Sequence, residues 1–160
     1  MEVNIEKLAK KLESLKSICI DSSILIYHLE QIKPYEVLTK LIIEKVASGS
    51  IFCNISALTI TELLAKPYRE KDYTKISVFE EFINSLPNSK IQPVEYNVAK
   101  LVASLRANYN LKTPDSILLS TVLYTDSEYF VTNDVLFKKI NIKDVRKDIS
   151  ILLLDEYLHL

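Results

Sequence analysis

Glycine occurs once in the 160-residue chain, at Gly49, and cysteine and histidine only twice each. Cys19 and Cys53 sit in short apolar runs without Cys-x-x-Cys spacing, and only His28 and His159 could complete a zinc site, so the sequence argues against a structural zinc. Thiols buried at strand positions suit a reducing compartment and point to the cytosol; a single disulfide between neighbouring strands is the alternative left open. Long apolar runs are missing as well. No window approaches the roughly 18 apolar residues of a membrane span. Met1 to Ser17 mix acidic and basic side chains without an unbroken apolar stretch, so neither membrane insertion nor export is expected. An excess of either charge is also absent, with 20 Lys and Arg against 21 Asp and Glu and a formal net charge of −1. The whole molecule therefore offers a polyanion no general attraction, and any nucleic-acid contact has to come from local basic patches.

What is present suffices for one domain with a real core, since 48% of the residues are hydrophobic and 26% charged. Ile5, Leu8, Leu12 and Leu15 predict an amphipathic helix with Glu6, Lys7, Lys10 and Lys11 on its wet side. Ile18-Cys19-Ile20 reads as a strand that stops at the capping signal Asp21-Ser22-Ser23, after which Ile24, Leu25, Tyr27 and His28 resume a helical pattern. A helix from Pro34 to about Ala47 ends near Ser48-Gly49-Ser50. It is followed by a short strand at Ile51 to Asn54 and a helix that is capped by Ser56 and runs as far as Pro67. Next come a helix with Ile76, Phe79, Phe82 and Ile83, a short strand at Ile91, and a helix from about Val94 through Leu101 and Leu105 to Tyr109. Thr113 caps a helix whose first residue is Pro114 and which carries Asp115, Ile117, Leu118 and Val122. Glu128 to Thr132 is a strand that runs into Asn133-Asp134, and Ile149 to Leu154 fits a closing strand. No segment repeats its neighbour. This alternation predicts an α/β fold, a single domain with a mainly parallel central sheet of about five strands and helices on both faces. Ligand sites of such sheets lie beyond the carboxyl ends of the strands, near a topological switch point, and Asp21 and Asp134 stand at such ends.

Taken singly, each acid has a plain structural explanation. Asp21 and Asp134 suit helix caps, Asp115 sits where the helix dipole favours negative charge, and Glu62 in a helix interior suits a solvated face. Asp126 competes for membership of the set, but Thr125-Asp126-Ser127 reads as the turn before a strand, at the opposite end of the sheet. Four acids in ordered sequence blocks weigh more than any one of them.

Ile18-Cys19-Ile20-Asp21-Ser22-Ser23-Ile24-Leu25-Ile26-Tyr27 resembles the opening of the PIN-domain ribonucleases. Ile55 to Leu64, centred on Thr61-Glu62, is similar to the second acidic block of that family, and Leu111-Lys112-Thr113-Pro114-Asp115-Ser116 to Ser120 is similar to its third. Phe130-Val131-Thr132-Asn133-Asp134-Val135-Leu136-Phe137 matches its Thr-x-Asp-x-x-Phe element. The resemblance runs from Ile18 to about Leu154 and looks closest to the VapC-like toxins of type II toxin-antitoxin pairs. On this reading residues 1–17 are an N-terminal amphipathic helix, 18–154 a PIN-like nuclease domain and 155–160 a C-terminal tail.

The resemblance implies hydrolysis of RNA phosphodiesters at a four-carboxylate site that binds Mg²⁺ or Mn²⁺. Asp21 and Asp115 are the expected direct metal ligands, Asp134 a ligand directly or through water, and Glu62 a ligand or an orienter of the attacking water. Ser23 and Thr132 match polar positions beside the acids, where a hydroxyl can hold a carboxylate by hydrogen bonding; turn capping is the other reading of both. Elementary electrostatics is consistent with this assignment, because carboxylates about 5 Å apart repel by roughly 3 kcal/mol per pair at an effective dielectric near 20, and a divalent cation removes that repulsion. Hard oxygen ligands are what Mg²⁺ prefers. Arg106, Lys112 and Lys138 are candidate RNA contacts, with Lys139, Lys66 and Arg69 behind them, because phosphate must be brought against negative charge. The expected partners are an RNA substrate, a small antitoxin covering the site and a second copy of the chain, with no membrane. The apolar side of Ile5 to Leu15 and the Phe79, Phe82 and Ile83 cluster are candidate faces for that pairing, with ordinary core the preferred reading of each. Two readings compete: a non-catalytic PIN-like RNA- or protein-binding module, and a phosphoryl-transfer or receiver-type α/β domain. Survival of all four acids speaks against the first, and their distribution over four elements against the second.

Overall fold

The computed structural model describes residues 2–140 and 149–159. Its elements in chain order are β1 (Glu2–Val3), α1 (Ile5–Glu13), β2 (Ser17–Ile20), α2 (Ser22–Leu29), α3 (Tyr35–Ala47), β3 (Phe52–Ser56), α4 (Ala57–Arg69) and α5 (Tyr73–Ser85). They continue with β4 (Ser89–Gln92), α6 (Tyr96–Tyr109), α7 (Thr113–Tyr124), β5 (Tyr129–Thr132), α8 (Leu136–Lys139) and β6 (Ser150–Leu153). A 3-10 turn at Leu154–Tyr157 then leads into β7 (Leu158–His159).

Five strands form one sheet in the order β4-β3-β2-β5-β6, every neighbouring pair parallel. The α/β reading with about five parallel strands is therefore correct. Parallel strands covered on both faces need apolar side chains on both, and β2 supplies them: Ile18, Cys19 and Ile20 are all fully buried. Strand alternation sends Ile18, Ile20, Cys53, Ile55, Val131 and Leu152 to one face, where they meet α1 to α5. Cys19 and Phe130 point to the other, against Leu105 of α6, Leu118, Leu119, Val122 and Leu123 of α7, and Phe137 of α8. Each fully buried Ile or Leu contributes about 2 kcal/mol relative to an exposed one. Cys19 and Cys53 are both free, and their positions on opposite faces prevent a bridge. Burial pushes the Cys53 thiol up to about 12.

The chain moves outward from β2 through β3 to β4, then returns to place β5 on the other side of β2. The order reverses between β2 and β5, so a crevice opens beyond their carboxyl ends. A separate two-stranded antiparallel pair, β1 with β7, joins the segments before and after the main sheet, with Val3 opposite Leu158.

Two local expectations need correction. α4 does not stop at Pro67 but runs on to Arg69, because Pro67 is buried and its carbonyl accepts from Asp72 N at 2.9 Å, so packing outweighs the lost N–H. At α7 the cap is Lys112, with Thr113 already helical, one residue earlier than Thr113 as cap implies. The two apolar faces follow the core reading rather than the pairing one: Leu8, Leu12, Leu15, Phe79 and Ile83 are all buried in the core, with Phe82 packed against it. Those side chains have their apolar partners inside the domain. Among the described residues no helix is long and apolar enough to cross a membrane.

Candidate active site

Asp21 sits where β2 ends and α2 begins. Its extended backbone (φ −83°, ψ 162°) breaks the strand, while its N–H donates to Val131 O at 3.0 Å and keeps the end of β2 in register with β5. One carboxylate oxygen, Oδ1, caps α2 by accepting from Ser22 N at 2.6 Å and from Ser22 Oγ at 3.2 Å. The other, Oδ2, accepts from the Thr132 hydroxyl at 2.7 Å. Asp21 is buried at 7% exposure, so its charge depends on these donors.

Thr132 is the last residue of β5 and fully buried. Its Oγ1 donates to Asp21 and accepts from Asp134 N at 3.0 Å, so one hydroxyl fixes two acids. Asp134 is exposed, and its Oδ1 accepts from Leu136 N at 2.9 Å at the start of α8. Asp115 enters from the first turn of α7, half-buried. Glu62 enters from α4 and is exposed; its Oε2 accepts from Ser22 Oγ at 2.5 Å, which ties it to the side chain that also contacts Asp21.

Electrostatics binds the acids into one neighbourhood. Burial raises the pKa of Asp21, the Thr132 and Ser22 hydrogen bonds oppose that, and the Asp134 charge adds to it. Burial also raises that of Asp115; the Asp134 and Asp21 charges add, and the Lys112 ammonium opposes them. Three carboxylates from three elements thus act on one another. Among the described residues, however, no group of three or more His, Cys, Asp or Glu stands close enough together to hold a metal ion as it is.

A cavity of about 430 Å³ opens here, lined by Asp21, Ser23, Tyr27, Asn133, Asp134 and Val135. Ser23 Oγ is buried with no hydrogen-bond partner among the described residues. An orphaned hydroxyl beside hard carboxylate oxygens suits a hydrated divalent cation, whose waters could satisfy it. Asp21, Asp115 and Asp134 offer hard carboxylate oxygens, the kind of donor such an ion takes.

The cationic candidates fare unequally. Lys112 is exposed at the start of α7 and is the one whose charge acts on an acid of the site. Arg106 is exposed in the last turn of α6, and Lys66 and Arg69 in the last turn of α4. Lys138 is engaged by the Glu156 carboxylate, and Lys139 is exposed beside it. Sequence reasoning missed Ser22, the link to Glu62, and also Asn133, which receives Asp155 N on its Oδ1 at 3.0 Å and donates to Asp155 Oδ1 at 3.2 Å and Tyr27 Oη at 3.4 Å. The signal for both was available, since each adjoins an acid already singled out. Asp155, which also accepts from Tyr35 Oη at 2.7 Å, carried no such signal.

The family model described as "PIN domain" matches residues 18–143. No curated protein matches the sequence. Among solved structures, the chain is similar to DNA-bound VapBC from Salmonella typhimurium (16% identity, TM-score 0.66, covering 88% of this chain and 99% of that one). It is also similar to FitAcB from Neisseria gonorrhoeae (18% identity, TM-score 0.61, 86% and 97% covered). A third likeness is to VapC20 from Mycobacterium tuberculosis, described as a sarcin-ricin loop cleaving toxin (11% identity, TM-score 0.62, 81% and 98% covered).

Proposed function

Because the chain belongs to the PIN domain family, we propose that it is a metal-dependent ribonuclease, in which Asp21, Asp115 and Asp134 hold Mg²⁺ or Mn²⁺ and Glu62 acts on water. The observation that carries this reading is the meeting of acids at the switch point of the sheet, where the Thr132 hydroxyl links Asp21 to the backbone of Asp134 and the Asp134 charge acts on both Asp21 and Asp115. Bound there, a divalent cation supplies charge neutralisation for the clustered acids, a lowered pKa for water and Lewis acidity toward the phosphate.

The chain's own residues do the rest. Thr132 holds Asp21 and the backbone of Asp134 in fixed relation, so that two of the acids are presented without reorganisation. Ser22 keeps Glu62 turned toward Asp21, where its carboxylate orients a water against phosphorus and accepts the proton that the water loses. Water forms the new P–O bond, and the RNA 3′ or 5′ oxygen leaves with the electron pair of the broken one. Lys112, beside Asp115, offsets repulsion between substrate phosphate and the acids.

The similar structures include one described as a toxin-antitoxin complex from Klebsiella pneumoniae, and on that analogy we assign this chain a small antitoxin that covers the cavity; a second copy as dimer partner rests on the family resemblance alone. The face for that second copy is not the α1 or α5 apolar stripe, which the core consumes.

Incubation of single-stranded RNA with the purified protein tests the activity. Cleavage with Mg²⁺ or Mn²⁺, and its loss in excess chelator and in both Asp21→Asn and Asp115→Asn, is the expected result. Cleavage that survives in chelator or in both variants rejects it.

A further inference from the structure

A second cavity, of about 580 Å³, lies away from the acids and is lined among others by Lys7, Lys10, Lys11, Tyr129, Glu156 and Tyr157. Its lysines come from one side of α1, which precedes the segment matched by the family model. In a chain of net charge −1, three ammonium groups on one groove are a local concentration of positive charge. The only acid among those six is Glu156, and its carboxylate is paired with Lys138. Among the described lining residues, no unpaired acid offsets the three ammonium groups.

The lysines are also held in place. Lys7 Nζ donates to Glu156 O at 3.0 Å and lies 5.2 Å from the centre of the Tyr157 ring. Lys11 Nζ donates to Tyr129 Oη and lies 4.4 Å over that ring. Lys10 makes no hydrogen bond or ion pair among the described residues and is exposed, with its charge available to a ligand.

Among the described residues the groove and the acid site share no lining residue, and α8 lies between them. Tyr129 and Thr132 stand at the two ends of β5, about 10 Å apart at the rise of a strand, with Phe130 and Val131 buried between them. Along the other side, Asp134 leads into α8, whose Lys138 grips Glu156 at the groove wall. We propose that this groove binds the phosphate backbone of single-stranded RNA whose scissile bond lies at the carboxylates. This rests on the ribonuclease reading. Compact ammonium charges match phosphates without reading bases, and the separation from the acids corresponds to a few nucleotides. An acidic protein segment would be drawn by the same charge, but the link through α8 to Asp134 favours the substrate.

The test is binding of a 5′-fluorescein single-stranded RNA to full-length protein, by anisotropy in chelator across a NaCl series, for wild type, Lys10→Gln and Lys7→Gln/Lys10→Gln. Removing two phosphate contacts flattens the slope of log K against log salt by about 1.4, at ~0.7 per contact, and weakens affinity; Lys10→Gln alone takes about half that slope. Matching thermal melts establish that the variants are folded. Unchanged slope and affinity in the folded double variant overturn the proposal. So does displacement of RNA by poly-glutamate at equal charge concentration, which would make the groove a protein-binding surface. Cleavage by wild type with Mg²⁺, followed in parallel, separates the two claims: cutting with unchanged binding in the double variant refutes the groove alone, and lysine-dependent binding without cutting refutes the nuclease alone.

Discussion

The Thr132 hydroxyl donates a 2.7 Å hydrogen bond to Asp21 Oδ2 and so ties the last residue of β5 to the first residue beyond β2. It crosses the point where strand order reverses, and both groups are buried.

Thr132→Val keeps the shape and removes the hydroxyl. Asp21 Oδ2 loses its donor and Asp134 N its acceptor, so folding stability falls by about 2 kcal/mol, as expected when a buried charged group loses a hydrogen bond. Urea denaturation reads the loss. RNA cleavage falls as well, since neither acid is then held; a variant as stable and as active as wild type contradicts the role given to Thr132.

Ser22→Ala separates stability from activity. The N-cap bond from Ser22 N to Asp21 survives, whereas the hydroxyl that meets Glu62 is gone. We expect a stability loss smaller than that of Thr132→Val, since only the long 3.2 Å bond from Ser22 Oγ to Asp21 goes, and a kcat reduced on the order of 10-fold, the usual effect of losing an orienting partner. Restored activity in Ser22→Thr, with its hydroxyl returned, identifies positioning as the cause.

The pH dependence follows from Asp21. Its folded-state pKa is raised above the ordinary 3.8, chiefly by burial, so the folded chain holds this proton more tightly than the unfolded one. That contribution to stability is fully present below the unfolded value and is lost as pH rises through the folded one. Metal-free wild type should therefore lose melting temperature relative to Asp21→Asn as pH rises from about 4 toward neutrality. Asp115, raised in the same direction chiefly by burial, is present in both proteins and so largely cancels from the comparison. Parallel profiles for the two proteins would show that the Asp21 carboxyl is not destabilised by its surroundings.

Much of this was legible from residue order. The apolar runs at Ile18 to Ile20 and Tyr129 to Thr132 signal strands, because a parallel strand buried on both faces requires them. The acids at their ends fall beyond the carboxyl edge for the same topological reason. Turn-making and clustering of the acids are compatible rather than rival: Asp21 uses Oδ1 for α2 and offers Oδ2 to Thr132, while Asp134, one residue before the Val135 cap of α8, accepts from Leu136 N with one oxygen. Less legible were features set by contacts distant in sequence. Ser22 reaches Glu62 across 40 positions, and Asn133 meets Asp155 across 22. No local pattern encodes such pairs. Pro67 misled in the other direction, since propensity favours a helix end there and burial overrides it.

The claim that three carboxylates serve one cation is tested most directly by calorimetric titration of Mn²⁺ into metal-free protein. Wild type should bind Mn²⁺, and Asp115→Asn, altering a half-buried side chain at the start of α7, should bind it at least about 10-fold more weakly, each lost charge removing a large share of the attraction. Equal affinity in wild type and Asp115→Asn, or no binding by wild type, would contradict a shared site.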